Sequence, residues 1–417
     1  MSFVKSENRT FLANASFLAV MQAANSFLPL LTVPFLVRVL GVELFGQLAF
    51  VTAVMYYFFV LSDYGFNLTA TRDISINRSD INKVNEIYTC VFFIKAALIG
   101  VSFVILMIGF LIFPTFIENW PLYLCSFFVI VGQSLFPTWF FQGMEKMKYI
   151  TYLSVSAKIF FTLGIFVLVA GPEDYLLVPI LTALGFFFSA SYALYLIHYQ
   201  HGVSFVIVPR TLVRKNIIDG WYVFLSQMKI TLFSSTNVVI LGIMIGPVAV
   251  GYYVAAEKIM RALALAQTPI TGSLFPLIAN KMVKNKKLAI KKLKNIAYLG
   301  GAFYLFVLGV GYFLSDYVIS LLYGDDLQES AWVLKVMLII PLLIFLNNIF
   351  GTQILLNTGR EKPFFYVLLL AAILSLVLCF SLTSLYSYQG TAIALLITEV
   401  FVVLAFFVLV YKDWVHA

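Results

Sequence analysis

Six ionisable side chains sit where charge is costly. Lys158, Lys229, Glu257, Lys258, Arg261 and Glu399 each fall inside a long apolar run, roughly 9–16 Å from its nearer end at ~1.5 Å per helical residue. A charge at membrane depth is expensive unless it faces a cavity or a partner, so each is a functional candidate. Glu257 and Arg261 are four apart and can pair along one helix, while Lys258 and Arg261, three apart, share a face. A bridge that only holds this helix against a neighbour is the competing reading. Even so, four deep cations meet two deep carboxylates, and the surplus asks for an anion. A phosphate-bearing substrate supplies one, with Arg offering a planar fork and Lys a compact charge.

Lys229, Lys258, Arg261 and Lys158 are therefore the candidate cationic binding residues. Asn25 and Gln227 join them, because two apolar runs carry unusual polar faces: Gln22, Asn25 and Ser26 in the first, and residues from Gln227 to Asn237 in the seventh. Polar helix faces in a membrane must meet protein or water. Asp63, Glu257 and Glu399 are candidates to carry a coupling proton or sodium ion. Pro29, Pro34, Pro269 and Pro276 free backbone carbonyls and permit bending. Lys95 and Lys335 lie about four residues from a span edge and are expected to snorkel to the interface.

No catalytic residue, metal site or cofactor is expected. Cys90, Cys125 and Cys379 are far apart with no metal-ligand spacing and read as small core residues. His198, His201 and His416 form no set with a nucleophile or carboxylate. Asp325, Asp326 and Glu329 read as a solvated helix end rather than a catalytic pair.

The elements that position these residues follow from composition. Of 417 residues 62% are hydrophobic and 11% charged, with a mean hydropathy of +0.98. A soluble domain carries about 25% charged residues, and its surface needs polar cover that this chain lacks. Soluble enzymes, disordered chains and disulfide-stapled domains are excluded. The apolar runs are continuous rather than alternating, which excludes a barrel. At ~20 residues per crossing, twelve spans are predicted: 12–37, 44–62, 91–113, 122–142, 150–170, 176–199, 218–241, 251–278, 296–322, 331–357, 364–385 and 390–411. Both ends are predicted to be cytoplasmic, because that choice puts 20 of the 27 Lys and Arg residues inside and one, Arg38, outside. The net charge of +8 is thereby a leaflet preference, and no nucleic-acid partner is expected even for the seven lysines of 281–294.

Two halves are legible. Leu40-Gly41-Val42-Glu43-Leu44-Phe45-Gly46 joins the first two spans and Ile245-Gly246-Pro247-Val248-Ala249-Val250-Gly251 joins the seventh and eighth, 205 positions later. Gly143-Met144-Glu145-Lys146 and Gly359-Arg360-Glu361-Lys362 form a second match. The expected fold is an all-α polytopic membrane protein with two pseudo-symmetric six-helix lobes around a central cleft. The lobes are 1–200 and 218–417, with 201–217 as a cytoplasmic linker. Six helices is an even number, so the halves are parallel repeats, a transporter plan.

Four segments carry a resemblance: PFLVRVLGVELFGQLAFV, DYGFNLTATRDIS, FPTWFFQGMEKMKYITY and GYYVAAEKIMRALALAQTPITGSLFP. Together they resemble the bacterial polysaccharide-unit flippases of the Wzx type, within the multidrug/oligosaccharidyl-lipid/polysaccharide exporter superfamily. The matching positions include Gly41, Gly46, Asp63, Tyr64, Gly65, Asn67, Thr71, Arg72, Trp139, Gln142, Gly143, Lys146, Glu257 and Lys258. The resemblance implies a two-lobe fold and, as substrate, an undecaprenyl-pyrophosphate-linked oligosaccharide of O-antigen or lipopolysaccharide biosynthesis, crossing the inner membrane. It also implies a polysaccharide polymerase and a chain-length regulator as partners. The rivals are a multidrug antiporter of the same superfamily, whose cationic drugs would favour acidic sites, and a lipid II flippase, whose relatives resemble fourteen-span chains. A membrane glycosyltransferase or polysaccharide polymerase would resemble chains with a large outer loop or a soluble domain.

Overall fold

The computed structural model describes the backbone of residues 2–415, and the side chains of residues 16–415 apart from 18, 19, 26, 115, 229, 230, 232–234, 269, 270, 273 and 276. Among the described residues every regular element is helical. The α-helices are α1 (Ser2–Asp63), α2 (Phe66–Asn77), α3 (Ile81–Ile112), α4 (Pro114–Glu118), α5 (Trp120–Leu135), α6 (Thr138–Gly143), α7 (Met147–Leu168) and α8 (Leu177–His201). They continue with α9 (Arg210–Met244), α10 (Pro247–Leu265), α11 (Thr268–Lys284), α12 (Lys286–Tyr323), α13 (Glu329–Met337), α14 (Ile340–Asn347) and α15 (Glu361–Val415).

Among the described residues, eight helical segments are long and apolar enough to cross a membrane. Two of them each hold two predicted spans. α1 runs through the first pair, with its only non-helical torsions at Gly41, and α15 runs through the last pair across a kink at Ser387. Pro29 and Pro34 are accommodated without a break; Pro269 and Pro276 lie outside the residues whose side chains are described. α9 and the α10–α11 pair occupy the seventh and eighth predicted spans. The fourth and tenth are interrupted, at Phe136–Pro137 and by a wide π turn over Asn348–Leu355.

Local signals set the ends. The Asp80 side chain accepts from the Asn82 and Lys83 amides at the start of α3, and Asn285 accepts from Leu288 at the start of α12. Gly202, left-handed at φ 64°, closes α8. Gly41 (φ 78°, ψ 170°) and Gly246 (φ 113°, ψ −180°) occupy the same region, one open only to glycine. The first internal match is therefore repeated in backbone conformation as well as in residue type. The second is not: Gly143 is helical, while Gly359 is left-handed at φ 71°.

The chain divides into two compact units. One comprises residues 1–32 and 51–235, the other 33–50 and 236–417. The change of unit thus falls within α9 rather than at 201–217. Residues 203–217 are not a free connector, because side chains of α3 hold them. Asn85 Oδ1 accepts from the Ser204 amide at 3.0 Å, Thr89 Oγ1 accepts from the Val206 amide at 3.1 Å, and Asn216 donates to the Cys90 sulfur.

Within the first unit, α8 packs on α5 and α7, and α2 packs on α6. Its core centres on Tyr88, which meets the rings of Trp139, Phe140, His198 and Phe205. In the second unit α10 packs on α13, and α14 on α15. There the two matching turns meet each other: a Cβ at Gly46 would overlap the Pro247 carbonyl oxygen, and one at Gly251 would lie 2.5 Å from that of Val42. Both glycines are needed for that backbone approach.

Candidate functional site

In the first unit the end of α1 turns into α2 through Tyr64 and Gly65, both with positive φ (50° and 79°). Such a torsion at a tyrosine stores strain, and packing holds it: the Tyr64 ring stacks on Phe224 with centroids 5.2 Å apart, and its hydroxyl donates to the Ile217 carbonyl. The turn leaves Asp63 at the wall of a small polar cavity of about 170 Å³. Asn25, Asp63, Asn67, Lys95, Gln133 and Lys158 supply its polar lining, from five different helices. The Lys95 ammonium lies 3.1 Å from Asp63 Oδ1, which also accepts from Asn67 Nδ2 at 2.9 Å.

Lys95 is a correction to the sequence reading. Its side chain is only 6% exposed and does not snorkel, because Asp63 from another helix neutralises it in place. Lys158 has no hydrogen bond or ion pair among the described residues, although it opens onto the same cavity. The volume suits a phosphate-sized group and a few waters, not a chain of sugars.

The second unit holds the other deep charges. Glu257 is buried and accepts from Arg261 Nε at 3.0 Å and Nη2 at 2.7 Å. The expected helix pair therefore exists, and Arg261 does not stand as a free cation; its side chain remains 45% exposed. Lys258 is half-buried with no hydrogen bond or ion pair among the described residues. Glu399 is buried and accepts from Asn347 Nδ2 at 2.7 Å. Gln353, fully buried in the π turn, donates to the Thr271 carbonyl and to Asn348 Oδ1. Sequence reasoning missed Lys95, Gln133, Asn347 and Gln353. The π turn brings the amides of Asn348 and Gln353 together, and no residue spacing announces that geometry.

The other candidates are distributed more simply. Lys229 lies outside the residues whose side chains are described. Gln227 lies on α9 and does not line the polar cavity; its carbonyl accepts from Thr231. Several motif positions are packing residues. Thr71 Oγ1 lies 3.2 Å from the Trp139 carbonyl and 3.4 Å from Gln142 Oε1, and Trp139 is buried. A Cβ at Gly143 would press on Ile74, so this motif reads out the α2–α6 contact. Arg72 pairs with its neighbour Asp73, and Lys146 is exposed. Asp325 and Glu329 accept from Ser320 and Tyr388 at exposed sites, in keeping with a solvated helix end.

Solved structures share this fold. The lipid II flippase MurJ in an inward closed conformation superposes with a TM-score of 0.67 at 14% identity, covering 97% of this chain and 89% of that one. An inward-facing multidrug resistance MATE family transporter of the MOP superfamily gives 0.66 at 13% identity, covering 92% and 97%. The chain thus shares the all-α, multi-span membrane fold of these proteins. Residues 11–282 match the polysaccharide biosynthesis protein family, and the chain belongs to that family. A protein of Escherichia coli (strain K12), named as a candidate O-antigen transporter, is 34% identical over 390 residues, 93% of each chain.

Proposed function

We propose that this chain is a lipid-linked oligosaccharide flippase, a transporter and not an enzyme. It moves undecaprenyl-pyrophosphate-linked repeat units of O-antigen, or of a similar surface polysaccharide, from the cytoplasmic to the periplasmic leaflet of the bacterial inner membrane by alternating access. The observation that carries this reading is Lys158: a cation with no hydrogen bond or ion pair among the described residues, on a polar cavity inside an apolar unit, in a chain of the polysaccharide biosynthesis family. Burying a charge without a counter-ion is unfavourable, and a diphosphate headgroup supplies the counter-ion only while it is bound. Lys258 plays the corresponding part in the second unit. Both termini are cytoplasmic, and the polymerase and chain-length regulator act on the delivered units. Asp63, Glu257 or Glu399 takes up a coupling proton or sodium ion.

The acids argue against a multidrug antiporter. A bulky cationic drug favours a surplus of carboxylates, whereas Arg261 and Lys95 already neutralise Glu257 and Asp63 and Lys158 and Lys258 leave the deep charge positive. The test is a deletion strain carrying the gene on a plasmid. Without the plasmid, complete but unpolymerised lipid-linked units accumulate on the cytoplasmic side; with it, surface polysaccharide returns. Truncated units in the deletion strain would identify an enzyme of assembly instead. Drug resistance conferred without restored polysaccharide would identify an antiporter.

A further inference from the structure

The proposed substrate has a long apolar tail as well as a headgroup, and the first unit offers a place for it. Beside the polar cavity lies an apolar groove of about 760 Å³, a volume typical of small-molecule sites. One wall is α3, through Phe93, Ile94, Ala97 and Val101; the other is the extended strap Val203–Val208 with the first turns of α9. We infer that this groove holds the polyprenyl tail next to the diphosphate, an assignment that rests on the function proposed above.

Three features select that occupant. First, chain neighbours line the groove and the polar cavity. Tyr64 lines the groove and its neighbour Asp63 the cavity; Ile94 lines the groove and its neighbour Lys95 the cavity. A molecule that is polar at one end and apolar at the other fits that adjacency. Second, the strap ends in exposed cations, Arg210, Arg214 and Lys215, interleaved with the groove residues Val208, Val213 and Ile217. Charge at the rim and apolar surface within match an anionic headgroup on a hydrocarbon chain. Third, the strap is fixed and not collapsed. Asn85 and Thr89 hold its amides while Ile207 stays 99% exposed and Phe205 48%, so the groove stays open with an apolar lip.

The test places p-benzoyl-phenylalanine at Ala97 in the full chain, in proteoliposomes of phosphatidylethanolamine and phosphatidylglycerol. The probe is radiolabelled undecaprenyl diphosphate, and the control position is Val167, 78% exposed on α7. Crosslinking at 97 should exceed that at 167, persist in excess phosphatidylglycerol and vanish with unlabelled undecaprenyl diphosphate. Equal labelling at both positions, or loss of label to phosphatidylglycerol, overturns the assignment in favour of bulk lipid.

As a second arm, Ala97→Trp and Val101→Trp fill the groove and should lower export roughly tenfold at normal protein abundance, the effect of ~1.4 kcal/mol of lost binding. If the unaltered chain restores polysaccharide and both variants do so equally well, the groove assignment fails while the flippase reading stands. If the unaltered chain restores none, the flippase reading fails. In that case crosslinking to the probe still decides whether the groove takes a polyprenyl chain.

Discussion

At the scale of single residues, the two lysines of the polar cavity should behave differently. Lys158 has no partner to lose among the described residues, so Lys158→Met should leave the unit intact or slightly firmer and remove only an interaction with substrate. A hydrogen bond to a charged group contributes about 1.5–3 kcal/mol, so export should fall roughly ten- to a hundredfold at unchanged abundance, with Lys158→Arg keeping more activity than Lys158→Met. Lys95 is the opposite case. Breaking a buried pair strands one charge and costs on the order of 3–5 kcal/mol, so Lys95→Met alone, or Asp63→Asn alone, should lower the amount of folded protein in the membrane. The double variant Asp63→Asn/Lys95→Met should recover most of it. Thermal unfolding of detergent-purified protein checks this; a double variant as unstable as the sum of the singles would mean that the two residues act independently. The contrast also shows what one chain of letters reveals. Glu257 and Arg261 are legible as partners because four residues make one helical turn, and the structure pairs them. Asp63 and Lys95 are 32 positions apart, on elements whose neighbour relation no periodicity encodes, so Lys95 read as an interfacial lysine.

At the scale of elements, what could be read was what depends on local chemistry. Long apolar runs fix where helices cross, and glycine pairs mark Leu40–Gly46 and Ile245–Gly251 as equivalent turns. What could not be read were the irregularities that tertiary packing imposes: the break at Phe136–Pro137, the π turn at Asn348–Leu355, and the pinning of 203–217 on α3. The equivalent turns carry their own prediction. Gly46 meets the backbone of Pro247 and Gly251, and Gly251 meets that of Val42; backbone cannot swing away as a side chain can. Gly46→Ala and Gly251→Ala should each destabilise by about 1–3 kcal/mol, the usual cost of overpacking. Gly100 lies in α3 with open space where its Cβ would be, so Gly100→Ala should be neutral or stabilising by about 0.5–1 kcal/mol through helix propensity. Melting temperatures of the three variants decide the matter, and a Gly46→Ala protein as stable as Gly100→Ala would show that the two turns do not bear on each other in the membrane.

At the scale of the whole molecule, insertion into the membrane depends on charge as well as packing. Outside the predicted spans the basic residues lie almost wholly in alternate connecting segments, 20 against one, and Lys and Arg in short loops resist translocation. The structure adds a reason for the arrangement near the C-terminus: Asp413 bridges Lys286 and Arg360 at 2.6 and 2.5 Å, and Lys294 lies over the Trp414 ring. Three basic segments that share one orientation signal are thus also held together. Twelve crossings and this bias together predict that a green fluorescent protein fused after Ala417 fluoresces, since it folds in the cytoplasm. Alkaline phosphatase fused after Glu43, in the turn near Arg38, the one loop cation predicted to face outside, should be active, since it requires the periplasm. The same bias applies to α9 and the α10–α11 pair: two crossings are needed between the basic segments 210–215 and 281–294 to return the chain to the same side. A phosphatase fused after Ile245 should therefore be active and one fused after Asn285 inactive. Activity at both positions, or at neither, would remove this pair of spans. The two halves would then no longer be parallel repeats, and a flippase with its unpaired lysines distributed over two equivalent units would have to be abandoned.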